Sequence, residues 1–111
     1  MWTPILIEEL EQYILTSELH LENEERNFWN LIKVVPHKWQ EKEYGNEGGG
    51  FWVVALFGNQ VIYYNDIEEG FNISDYVEYG LIENYYCCQD ELDWTIKALY
   101  LIIKRMPSEN I

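Results

Sequence analysis

The chain has 111 residues, of which 48% are hydrophobic and 16% aromatic, and its 20 acidic side chains outnumber 7 basic ones to leave a net charge of -13. That is the length of a single domain (1–111) with ample apolar material for one core, which excludes intrinsic disorder. The acid excess argues against nucleic acid and anionic membrane as partners, since both are bound by Lys and Arg that displace counterions.

The opening MWTPILIEELEQYIL lacks a basic leader and a small-residue cleavage site, and no apolar run approaches the roughly 18 residues of a membrane span, so a cytoplasmic protein is expected. Thr3-Pro4 places a hydroxyl and then a proline where a helix begins. Leu6, Leu10, Tyr13, Ile14 and Ser17 follow at helical spacing, predicting a helix over 4–17. Residues 18–27 are polar and fit either loop or helix. FWNLIKVV (28–35) alternates as a strand does and Pro36 is expected to end it, leaving 36–50 as a loop anchored by Trp39 and Tyr44.

FWVVALF and QVIYYND are joined by Gly58-Asn59 alone, the mark of a two-residue hairpin. Pairing Phe57 with Gln60 and keeping a regular register sets Phe51, Val53, Ala55, Phe57, Ile62 and Tyr64 on one face, with Trp52, Val54, Leu56, Val61 and Tyr63 on the other. Both faces are apolar and both need cover. GFNIS (70–74) and LIENYYC (81–87) read as further strands, with Cys87 and Cys88 as small strand residues. Adjacent cysteines seldom reach disulfide geometry, which suits a reducing compartment. Asp90 is the expected cap of a last helix whose main stripe is Leu92, Ile96, Leu99, Tyr100 and Ile103; Trp94, Ala98 and Leu101 form a second, and Pro107 lies beyond its end. The expected fold is α+β: a mainly antiparallel sheet of about four strands around the 51–66 hairpin, packed by an N-terminal and a C-terminal helix. Two helices cover one sheet face, so the second requires the 36–50 loop or another molecule, which admits homodimerisation or partner binding.

The charge is unevenly placed. Residues 43–96 hold eleven acids and no Lys, Arg or His. The hairpin register gathers Asn46, Glu47 and Gly48 to Gly50 with Asn65, Asp66, Glu68, Glu69 and Gly70 at the end away from Gly58. A phosphate cradle there lacks a lysine and a following helix. Oxygen ligands for calcium or magnesium are available in Asp66, Glu68 and Glu69, though their spacing is not that of an EF-hand. A carboxylate pair suits acid–base chemistry if one member is buried. Against these stands a plain alternative: Asn65-Asp66 makes turn bonds, Gly70 supplies a positive φ, the glycines let backbone pass beside Trp39, Tyr44 or Trp52, and the acids form a solvated rim. His20 and His37 read as surface residues, and Ser74 has no partner for a triad.

The run KWQ…YGNEGGGFWVVALFGNQVIYYNDIEEGFNISDY…CCQDEL, about residues 38–92, resembles a family of small bacterial proteins with a GGGFWVV…YNDIEEGF core, a likeness that implies no activity and transfers no functional residue. In size, acidity and layout the chain also looks like immunity proteins of bacterial toxin systems. The residues together favour a non-enzymatic binding protein that presents Glu47, Trp52, Asn65, Asp66, Glu68 and Glu69 to a basic protein partner, with no catalytic residue and no cofactor expected. A metal-dependent or carboxylate-based small-molecule site at the same end, and a structural homodimer, are the alternatives.

Overall fold

A computed structural model describes residues 2–105; Pro107 lies outside them. The elements are α1 (Ile7–Glu18), α2 (Asn23–Ile32), β1 (Lys33–Glu41), a 3₁₀ turn (Gly45–Gly48), β2 (Phe51–Phe57), β3 (Gln60–Asn65), β4 (Gly70–Asp75), β5 (Leu81–Ile82) and α3 (Leu92–Lys104). The sheet runs β4-β3-β2-β1-β5, antiparallel except where Gln40 and Glu41 pair in parallel with Leu81 and Ile82. The architecture is α+β, with the N- and C-terminal helices packed on a five-stranded, mostly antiparallel sheet.

α1 starts three residues later than Thr3-Pro4 predicts. Leu6 stands at its N-cap without a side-chain bond, because Ile5 is drawn into the sheet end, where its N–H donates to Asp66. The 28–35 strand is overturned: most of it is α2. Phe28, Trp29 and Ile32 are buried while Leu31 is exposed, which is a helical spacing that an alternating pattern mimics over so few residues. A reciprocal capping box between Glu22 and Glu25 starts α2 within the segment that was ambiguous from sequence. Pro36 does not end β1. Its register against β2 shifts between Lys33 and His37, and the proline falls in that irregularity, where a missing N–H breaks no ladder bond.

The Gly58 turn is present with φ 58, as a primed hairpin turn needs. Phe57, Leu56 and Ala55 pair with Gln60, Val61 and Ile62, but Val53 then pairs with Tyr63 and Trp52 with Tyr64, so Val54 is an extra residue. The bulge corrects the expected faces. Val54 and Ala55 both join the helix-side core with Ile62, Tyr64, Leu10, Trp29 and Ile96, whereas Phe51 and Val53 turn to the opposite core with Trp39, Val61, Tyr63 and Ile82.

That opposite face is covered by the chain itself, with Trp2, Ile67, Tyr76 and Tyr85 packed over it. LIENYYC is not a long strand: only Leu81 and Ile82 pair, and 83–90 is an irregular strap held by side chains. Asn72 Oδ1 accepts from the Cys88 N–H and its Nδ2 donates to the Cys88 carbonyl, Ser74 Oγ accepts from the Asn84 N–H, and Tyr63 Oη accepts from the Tyr86 N–H. These side chains replace ladder bonds that a further strand would have made. Cys87 and Cys88 are free and exposed on this strap rather than in a strand. Glu91, not Asp90, occupies the N-cap of α3, since the Asp90 carbonyl accepts the Phe71 N–H. The main α3 stripe packs as expected, while Trp94 and Leu101 face solvent.

Candidate functional site

The site is built at the end of the sheet opposite Gly58. β3 ends at Asn65, whose buried Oδ1 accepts from the Ile67 and Glu68 N–H groups at 2.9 and 3.2 Å while its Nδ2 donates to the Tyr86 carbonyl. This is the Asx turn the sequence suggested, and it makes Asn65 structural. The positive φ falls on Glu69 (59°), not on Gly70. Gly70 is required for a different reason: a Cβ there would lie 2.3 Å from Gln89 Cα, because the strap crosses directly over it.

Asp66 is buried, at 8% exposure. Its Oδ2 accepts the Ile5 N–H at 2.6 Å, and its Oδ1 is sealed from solvent with no partner among the described residues. Burial pushes the carboxyl above its ordinary range, opposed by the Ile5 N–H and by the Lys38 ammonium. Lys38 enters from β1, opposite Trp52, where its Nζ sits 5.0 Å from the centre of the Trp52 ring and donates to the Gly50 carbonyl at 3.3 Å. Lys38 bonds the EGGG stretch and acts on Asp66 of the NDIEEG stretch through its charge, and reading 36–50 as a loop conceals it. Glu68 is half-buried and accepts from Tyr85 Oη at 3.4 Å, Glu69 is exposed, and Trp52 is half-buried, its Nε1 without a partner among the described residues.

Glu47 sits exposed on the 3₁₀ turn. The glycines beside it serve packing. Gly48 lies under the Trp2 ring, and Gly50, at φ 100°, has the Trp39 carbonyl oxygen 2.4 Å from where a Cβ would be. Glu41, which sequence reasoning passed over, organises this turn: it is buried, and its carboxylate accepts the N–H groups of Glu43, Tyr44 and Gly45.

Two adjoining open cavities border the Asp66 end. One, of about 450 Å³, lies between α1, the start of β4 and residues 89–92; the other, of about 370 Å³, lies between residues 3–5, α1 and Asp66. They share Tyr13, Tyr64 and Glu69. The Tyr13 and Tyr64 ring centres are 5.9 Å apart, tilted by 51°. Burial pushes the Tyr64 hydroxyl well above its ordinary range, and the nearby Tyr13, Asp66, Glu69 and Glu9 push it further. Neither Tyr13 nor Glu9 stands out in the sequence from the rest of an amphipathic helix. Among the described residues no three His, Cys, Asp or Glu side chains gather closely enough to hold a metal ion, and Asp66, Glu68 and Glu69 do not form such a group. No helix among them is long and apolar enough to cross a membrane.

The chain matches no family model, no curated protein and no solved structure with which it was compared.

Proposed function

We propose that this chain is a non-enzymatic acidic binding protein whose α1–β3–β4 groove receives a basic segment of another protein; neutralising a basic toxin is one role such a surface serves. The observation that carries this reading is the groove itself, in which Tyr13 and Tyr64 stand among Glu9, Asp66, Glu69, Asp90 and Glu91. Among the described residues the two ion pairs are Lys33–Glu18 and Lys104–Glu24, so none of these carboxylates forms an ion pair there, and Lys38 acts on Asp66 only from beyond ion-pair distance. Unpaired carboxylates around an aromatic floor supply long-range steering together with apolar contact area.

The test is fluorescence anisotropy with a labelled lysine- and arginine-rich decapeptide and its acidic counterpart. Binding of the basic peptide alone, weakened by salt as surface charge requires and lost in the Glu69→Lys, Asp90→Lys double variant, supports the reading. Equal binding of both peptides, or no effect of charge reversal in a folded variant, overturns it.

A further inference from the structure

We infer that the solvent face of α3 is a docking surface for a second copy of this chain, whose own α3 lies antiparallel across it with Ala98 at the crossing. This goes beyond the groove reading and does not rest on it.

The first observation is that α3 is turned partly inside out. Its polar residues Asp93 and Thr95 are buried, while Trp94, Leu101 and Ile102 stand 66%, 50% and 55% exposed. Asp93 Oδ1 accepts from Ser17 Oγ at 3.3 Å and Thr95 Oγ1 donates to the Glu91 carbonyl, so both polar side chains are satisfied within the domain. Leu92, Ile96 and Leu99 already supply the core from this helix. A helix that is apolar all round is ordinarily covered all round, and an exposed apolar stripe marks a contact surface.

The second observation is the spacing. Trp94, Ala98, Leu101 and Arg105 recur at intervals of four, three and four, the seam by which one helix packs along another. All four are exposed. Ala98, the small residue at the middle, lets two backbones come close, since the distance between packed helices is set by the side chains at their contact.

Charge then chooses the occupant. The stripe runs from the N-cap Glu91 to the C-cap Arg105, both exposed. Antiparallel pairing about Ala98 sets Glu91 of each copy against Arg105 of the other and Trp94 against Leu101 and Ile102, because these positions stand at matching distances on either side of the centre. The helix dipoles are then opposed as well. One patch completes itself, as a two-fold interface requires. Lys97 and Lys104 border the opposite flank, which disfavours the basic segment that suits the groove. Both are held out of the seam, Lys97 with its ammonium 5.9 Å from the Trp94 ring centre and Lys104 paired with Glu24 at 3.6 Å.

The experiment is sedimentation equilibrium of the full chain at about 0.15 M salt, where a Debye length of about 8 Å screens the like charge of the two copies. Loading runs from about 1 μM to 1 mM, the span in which a contact of one helix pair should assemble. Expected is a dimer within that span, weakened at least about tenfold by Ala98→Glu, which puts two carboxylates at the crossing. Position 98 is exposed, so this variant should keep its thermal unfolding midpoint. Glu91→Arg and Arg105→Glu should each weaken the dimer about three- to tenfold, as two exposed ion pairs imply, and the two changes together should restore it, because each pair is only exchanged. A chain still monomeric at about 1 mM overturns the proposal and leaves the face to a different protein. A dimer indifferent to Ala98→Glu in a folded variant overturns it too, as does a double exchange no tighter than the single ones.

Discussion

Replacing Glu41 by alanine should remove more stability than any substitution in the acidic groove. Its side chain is 2% exposed and accepts three backbone N–H groups, from Glu43 at 3.0 Å and from Tyr44 and Gly45 at 2.8 Å each. The Gly45 donor is buried and would be left unpaired, at a cost of about 1–3 kcal/mol, while the other two can turn to water for about 0.5–1.5 kcal/mol each. With the void left by the missing methylene and carboxyl, Glu41→Ala should lose about 3–5 kcal/mol, a large share of the 5–15 kcal/mol typical of a whole domain. Glu41→Gln keeps one acceptor for Tyr44 and Gly45 but opposes its NH₂ to the Glu43 N–H, so about 1–2 kcal/mol is expected. Urea unfolding followed by tryptophan fluorescence reads both variants, and hydrogen exchange at the Gly45 amide reads the local bond. An Ala variant within about 1 kcal/mol of the parent, or a Gln variant less stable than the Ala one, would refute the reasoning.

Two further outcomes follow from the sheet end. Because burial holds the Asp66 pKa above its ordinary 3.8, the folded state keeps a proton that the unfolded chain has released. The stability this contributes is complete below that ordinary value and is lost as pH rises through the folded pKa. Asp66→Asn should therefore gain on the parent as pH rises above the ordinary 3.8, and urea midpoints whose difference does not change with pH would contradict it. Gly70→Ala drives a methyl into the Gln89 and Cys88 backbone and should cost about 1–3 kcal/mol or more. Glu69→Asn, one residue earlier, should gain up to about 1 kcal/mol by suiting the left-handed φ. Thermal denaturation that ranks the two variants in the opposite order would show that the φ assignment is wrong.

Much of the fold is legible because it is locally encoded. The α3 stripe and the Gly58-Asn59 turn each depend on residues within a few positions of one another, and both are where the pattern puts them. FWNLIKVV fails because eight residues satisfy both periods, and burial of Phe28, Trp29 and Ile32 together is decided by the neighbours they meet. The hairpin faces fail past Ala55 because a bulge leaves no mark in a run as uniformly apolar as FWVVALF.

The site divides the same way. By itself the sequence determined that residues 43–96 carry acid without base and that the EGGG and NDIEEG stretches lie at one end of a hairpin, and it offered the Asn65 turn as an alternative to a binding role. Only the tertiary structure decided that Asp66 is buried against the Ile5 N–H, that Lys38 comes in beside Trp52, and that Glu9 and Tyr13 complete a groove with Tyr64 and Glu69. The physical reason is that charge and turn chemistry are properties of a residue and its near neighbours, whereas desolvation and convergence depend on segments about 60 positions apart meeting, as Ile5 and Asp66 do.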